Sequence, residues 1–172
     1  MEQKFDICPA IPGEEAKILS FIRALAQYEK MEAELVADEG LLRHWLFEKK
    51  AAEVLFARLD GREIGFALYF HNFSTFLGRA GIYLEDLYIL PEYRGRGYGR
   101  RIFEALASIA VSRGCGRLEW ACLNWNTPSI GFYHKLGATA MEDWTTYRLT
   151  GDALARLAEG DGQLVVDGTA RA

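Results

Sequence analysis

Residues that build covalent or metal chemistry are scarce in this chain. Its 172 residues include three cysteines, three histidines and four prolines. Cys8, Cys115 and Cys122 form an odd set without a close Cys-x-x-Cys pair, which suggests neither a disulfide framework nor a zinc site. They read as buried free thiols of a reducing compartment. His44, His71 and His134 share no metal-ligand spacing, so no metal is expected. Positive charge is short as well: 20 Lys and Arg stand against 24 Asp and Glu, a formal net charge of −4. That balance argues against a general nucleic-acid binder. No apolar run reaches the roughly 20 residues a membrane span needs, and the amino end has no basic stretch followed by an apolar block. A cytoplasmic protein with neither membrane nor nucleic-acid partner is the expectation.

What is present suffices for a core, since half the residues are hydrophobic. "KFDICPA" reads as a first strand stopped by Pro9, and a helix follows from Gly13 to Tyr28 with Ile18, Ile22 and Leu25 on one face. After a charged connector, "DEGLLRHWLF" reads as a short helix capped by Asp38. "AEVLFARLDGREIGFALYF" is a hairpin turning at Asp60-Gly61. Residues 71–81 read as a loop, and Ile82 to Leu90 as the next strand. "RRIFEALASIAVSRG" is an amphipathic helix stopped by Gly114, and "RLEWACL" a strand. "NTPSIGFYHKLGA" is a helix capped by Asn126 or Thr127, with Pro128 in its first turn and Gly137 at its end. "WTTYRLT" is a last strand, and "GDALARLA" opens a terminal helix. The order is mixed α/β around one sheet, with residues 4–157 as one domain and 158–172 as a loose tail.

The segment that asks for function is "LEDLYILPEYRGRGYGRR", residues 84–101. A strand that ends in Gly95, Gly97 and Gly99 and then opens a helix presents bare N–H groups at a positive helix end, an arrangement that attracts phosphate. Arg94, Arg96, Arg100 and Arg101 add charge. The spacing is not that of a dinucleotide fold, which wants two residues between its second and third glycines, nor does it contain Gly-Lys-Ser/Thr. An arginine–glycine segment with Tyr93 and Tyr98 interleaved also has the chemistry to stack RNA bases. A single copy locked between strand and helix, in an acidic chain, weighs against that use.

Arg94-Gly-Arg-Gly97-Tyr-Gly99 resembles the Arg/Gln-x-x-Gly-x-Gly/Ala loop of the GCN5-related N-acetyltransferase (GNAT) superfamily. "YLEDLYILPEYRGRGYG", "WNTPSIGFYHKLGA" and "LAQYEKME" resemble its diamine (spermidine/spermine) branch, and "FSTFLGR" the thialysine-acetylating relatives. The likeness runs through most of residues 4 to 150. It implies a single mixed, mostly antiparallel sheet flanked by helices, with splayed central strands. It also implies acetyl-CoA as co-substrate, a small cationic amine as acceptor and a homodimer. By this resemblance the loop from Arg94 through Gly95, Arg96, Gly97, Tyr98 and Gly99 to Arg100 holds the pyrophosphate. Asn126 contacts the cofactor arm besides capping its helix, Ser129 belongs to the cofactor site, and Lys135 meets a phosphate or is plain helix surface.

Acetyl transfer to an amine makes three demands. The amine must lose a proton, since a free alkyl amine has a pKa of about 10. Glu85 and Asp86 are adjacent on a strand and so point to opposite faces unless the strand bulges. By resemblance it does bulge, Glu85 accepts the proton through water, and Asp86 helps hold the cation. The departing thiolate needs an acid, and Tyr133 has that role in the family; Phe132 beside it is the expected core residue. The carbonyl oxygen needs a donor, which the superfamily supplies from backbone N–H groups of the splayed strand, here Leu87, Tyr88 and Ile89. Tyr28, Glu29 and Glu32 match the acidic turn of the amine site in the polyamine branch, and Ser74 and Thr75 match the thialysine type. A polyamine or diamine acetyltransferase is therefore expected. A lysine-like acceptor, or an acyl-CoA sensor without turnover, are the alternatives; retention of Glu85 and Tyr133 opposes the sensor.

Overall fold

The computed structural model describes residues 3–159. The chain forms two compact units, one ending at Phe132 and the other beginning at Tyr133. The first holds the five-stranded sheet. Strands β1 (Phe5–Pro9), β2 (Glu53–Leu59), β3 (Arg62–Ser74), β4 (Arg79–Ile89) and β5 (Leu118–Trp120) lie in sequence order across it. The first three junctions are antiparallel and β4–β5 is parallel. A mixed sheet of this kind, flanked by helices, is the fold the sequence implied.

Local chemistry explains the elements. The β2–β3 hairpin turns on Asp60 and Gly61, both at positive φ (52° and 80°), the two-residue geometry that matches strand twist. Helix α1 (Glu15–Glu29) ends where Lys30 enters the left-handed region, and the Lys30 and Met31 N–H groups close on carbonyls of the last turn. That sharp stop fixes Tyr28 and Glu29 in the final turn. Asp38 caps α2 (Glu39–Leu42) by accepting the Leu41 N–H at 2.8 Å, and a π turn continues it through Arg43–Glu48. Helix α3 (Tyr98–Ser112) packs Ile102, Phe103, Leu106 and Ala110 inward. Its Gly114 sits at φ 68°, past the helix end, as the sequence predicts.

One face of the sheet carries Val54, Phe56, Phe66 and Tyr88 against Ile18, Leu19 and Phe21 of α1. Burying these side chains stabilises the face by about 1.5–3 kcal/mol for each large one. Phe21 lies on Phe66 with centroids 5.5 Å apart.

Three expectations are corrected. The segment 71–81 is not a loop but the far end of a long hairpin, with β3 and β4 paired from His71↔Ile82 to Ser74↔Arg79. Its Asn72 finds a partner across the sheet: Nδ2 donates to Glu119 at 2.6 Å, a carboxylate that also forms an ion pair with Arg117, N–O distance 2.9 Å. The strand expected over 117–123 spans only Leu118–Trp120. The segment 144–150 is not a strand; it pairs with no ladder among the described residues, and Trp144, Tyr147 and Leu149 are exposed. Alternating apolar residues make a strand only where another strand accepts their hydrogen bonds.

The second unit contains the end of α4 (Thr127–Lys135) and α5 (Gly151–Glu159). Helix α5 runs two residues past the boundary expected at 157, and 160–172 of the expected tail lie outside the described residues. No helix among the described residues is long and apolar enough to cross a membrane.

Candidate functional site

The site is built on the second half of β4. The register runs Leu68↔Asp86 and then Tyr69↔Leu84, so Glu85 is an extra residue opposite the junction of Leu68 and Tyr69. This is a β-bulge, and it inverts every face that follows. Leu84 pairs with Tyr69 and Asp86 with Leu68, neighbours on β3 that point to opposite faces. Asp86 therefore shares the α1 face with Leu68, Phe66 and Tyr88, while Glu85 is exposed. The bulge condition set by the resemblance is met.

The same point opens the sheet. Strand β5 pairs with β4 only from Ile82 to Leu84, so β4 runs on to Ile89 with one edge open. Leu90 N–H donates to Ile64 O of β3 at 2.9 Å. By strand alternation Tyr88 also faces β3, and the N–H groups of Leu87 and Ile89 face the open edge. Of the three backbone positions expected as donors, two point into the opening and Tyr88 does not. Its ring instead belongs to the α1 core.

On the α1 side the acids gather. Burial pushes the Asp86 carboxyl up to about 6, and the neighbouring charges of Glu85 and Glu29 add to the rise. Burial also raises Glu29. The Cys122 thiol is raised by burial and then by Glu29, which places this cysteine beside the same acid. Carboxylates held together without a cation are poised for one. Glu32 opens an exposed 3₁₀ turn (Glu32–Glu34) and is not among the charges that act on Asp86. Ser74 and Thr75 lie at the hairpin tip, six residues from Leu68, about 20 Å along the strand. There the Ser74 hydroxyl accepts the Leu77 N–H at 3.2 Å and closes the turn. The structure does not bring this pair together with the acids.

The glycine loop follows β4 through a 3₁₀ turn (Pro91–Tyr93). Gly95 (φ 74°) and Gly97 (φ 85°) adopt the left-handed backbone that β-carbons disfavour, and a Cβ on either would meet no protein atom within 4 Å. Their requirement is conformational, and the space above them is open. The Arg101 N–H closes the first turn on Gly97 O at 3.2 Å, while Tyr98 and Gly99 are first-turn donors that an α-helix leaves without an intrahelical acceptor. This is the chemistry of an anion cradle. Two ring contacts brace it: Tyr98 stacks on Phe5 at 4.8 Å, and Arg101 lies 4.5 Å over the other ring's centroid.

Arg94 is differently placed from the free phosphate ligand its sequence context evokes. Its Nε donates to Ile89 O at 2.8 Å, and its guanidinium carbon lies 4.7 Å from the Tyr28 ring centroid and 4.9 Å from that of Tyr88. Arg96 lies 5.7 Å over the Tyr93 ring on the exposed side. Asn126 is buried, 8 % exposed, and settles the choice of cap: its Oδ1 accepts the Ser129 N–H at 3.4 Å. The same oxygen accepts the Tyr28 hydroxyl at 3.3 Å. Phe132, expected in the core, is half-buried and packs edge-on against Phe103 at 5.7 Å. Tyr133, half-buried, and Lys135, exposed, stand on the last turn of α4 in the second unit. Sequence reasoning missed Cys122 as a neighbour of Glu29 and Trp125 as a partner of Tyr28, at 5.8 Å. The Trp-Asn-Thr-Pro spelling of the cap was the available signal for the second.

A family model described as "Acetyltransferase (GNAT) family" matches residues 19–138. A thialysine N-epsilon-acetyltransferase of Bos taurus is 38% identical over 158 residues, covering 85% of this chain and 92% of that protein. Human spermidine/spermine N(1)-acetyltransferase-like protein 1 is 30% identical over 90% of this chain and 24% of its own length. Among solved structures, an integron cassette protein from the mobile metagenome of V. cholerae superposes with a TM-score of 0.76 at 26% identity, covering 90% of this chain and 98% of that one.

Proposed function

Because the chain belongs to the GNAT family of N-acetyltransferases, we propose that it moves the acetyl group of acetyl-CoA directly to a primary amine of a small polycation, of the diamine and polyamine class. The bulge at Glu85 carries this reading. It leaves Glu85 exposed at the point where the sheet opens, turns Asp86 toward Glu29, and aims two backbone N–H groups at the open edge.

In this reading the glycine loop and the first turn of α3 grip the diphosphate, and Asn126 and Ser129 flank the cofactor arm. The amine nitrogen attacks the acetyl carbonyl carbon, whose oxygen gains charge against Leu87 N–H. Glu85 takes the ammonium proton through water before attack. As the C–S bond breaks, the acylated nitrogen releases its second proton to solvent, and Tyr133 gives its hydroxyl proton to the departing thiolate and regains one from solvent. Glu29 and Asp86 hold the remaining positive charge of the acceptor. No metal enters this chemistry.

A second reading, a lysine-like acceptor, is favoured by the thialysine relative. One experiment separates the readings: CoA release measured with putrescine, spermidine, thialysine and lysine at equal concentration. Highest kcat/KM for spermidine or putrescine supports the first. Highest values for thialysine support the second. Tight acetyl-CoA binding without turnover on any amine leaves a sensor. A chain that takes up no CoA overturns the assignment.

A further inference from the structure

Four segments of the first unit meet at one side chain. Arg94 opens the glycine loop, yet its guanidinium turns back from it, bonded through Nε to the last carbonyl of β4 and wedged between the rings of Tyr28 and Tyr88. Those rings meet edge-on, with centroids 6.4 Å apart and planes 64° to one another. Tyr28 lies in the last turn of α1 beside Glu29, and its hydroxyl reaches Asn126, the cap of α4. One continuous chain of contacts thus runs from the loop, through a planar cation and an aromatic ring, to an acid of the amine side and the cap of α4.

From this geometry we propose that Arg94 is a positioning residue that, through Tyr28, sets the acceptor-side acid Glu29 relative to the glycine loop, rather than a charge on the phosphate. The inference rests on the reading of the loop as the acyl-donor site. It differs from a phosphate-ligand role in what the side chain must supply. A phosphate needs positive charge near the loop, which lysine provides. The observed site needs a flat group that lies against two rings and donates an N–H to Ile89 O. Glutamine keeps a planar amide and a donor without charge; lysine keeps the charge without the plane.

The test is a comparison of Arg94→Lys and Arg94→Gln, with CoA affinity read by calorimetry and amine KM by CoA release, both on the whole chain. We expect Arg94→Lys to raise amine KM about tenfold, the loss of the flat surface between two rings and of the Nε hydrogen bond. Arg94→Gln is expected to stay within about threefold of the parent, and CoA affinity to change less than amine KM in both. Tyr28→Leu, which removes the ring, should raise amine KM about as much, and combining it with Arg94→Lys should add little. The opposite result overturns the proposal: CoA affinity lost in Arg94→Gln, restored in Arg94→Lys, and amine KM unmoved. Full additivity of the Arg94 and Tyr28 changes also overturns it. Arg94 is exposed, so folding of the variants is expected, and melting curves verify it. A parent protein that binds no CoA fails the donor-site reading instead, an outcome these ratios do not resemble.

Discussion

The glycine loop and the acid cluster, two halves of one candidate site, are made of different material. At Gly95 and Gly97 the chain offers main-chain donors, and what the sequence must specify is a backbone conformation, not a side chain. At Glu29, Glu85 and Asp86 it offers carboxyl side chains, of which Glu29 is tuned by burial and Asp86 by burial and by the charges of the other two. A backbone site is fixed by what is left out of the residues; a carboxylate site is tuned by everything around it. The first therefore suits a ligand common to a whole family, and the second an acceptor that varies from member to member.

The strongest way to break this division is at the bulge. Glu85→Gln is isosteric and exposed, so stability should hold, while loss of the proton acceptor should lower turnover about 10²–10⁴-fold with CoA affinity unchanged. Rapid-quench turnover beside calorimetry checks it; an active variant removes Glu85 from the proton's path. Tyr133→Phe should lower turnover by about 10–100-fold and leave acetyl-CoA affinity near the parent value. Turnover equal to the parent's at every pH removes Tyr133 from the acid's role. Gly97→Val tests the other half. A β-branched residue at φ 85° is strained by about 1–3 kcal/mol, so CoA affinity should fall about 10–100-fold. The Kd of the amine, read without CoA, should stay put. A valine variant that binds CoA normally shows that the loop's conformation is not what the ligand reads.

This contrast also explains what was legible in the sequence. Gly95, Gly97 and the following amphipathic helix are local features, and so are the caps at Asp38 and Asn126; each is written in residues next to one another. The bulge is not local. Glu85 becomes the extra residue only because β3 pairs Leu68 with Asp86 and Tyr69 with Leu84, a register that no inspection of residues 82–90 contains. Family likeness supplied it, and periodicity alone put Glu85 and Asp86 on a regular strand. The direction of Arg94 was equally out of reach, since its partners Tyr28 and Tyr88 come from α1 and β4. Residues 144–150 fail in the other direction: the alternation is local and clear, but the neighbour it needs is absent among the described residues.

The smallest expected change is the most diagnostic of a tuned acid. Asp86 titrates near 6 when folded against an ordinary value of 3.8, so the folded state holds this proton more tightly than the unfolded chain does. Between those two values the folded state binds more protons, and stability falls as pH rises through the window. The loss is complete above the folded value and amounts to at most about 3 kcal/mol for a shift of about 2 units. Asp86→Asn removes the titration. Without amine, the variant should match the parent below about pH 4. Above about pH 6 it should be the more stable of the two, as denaturant melts at several pH values will show. Its amine KM should rise about tenfold, the loss of one partly buried ion pair. The same excess of amine should stabilise the parent above pH 6 by about 1.4 kcal/mol more than the variant, the energy of a tenfold difference in affinity, because a bound cation offsets the repulsion that Glu29 and Glu85 impose on Asp86. If the parent's stability is flat from pH 4 to 6 and amine does not alter it, the acids are ordinary surface charges, and the acceptor site lies elsewhere.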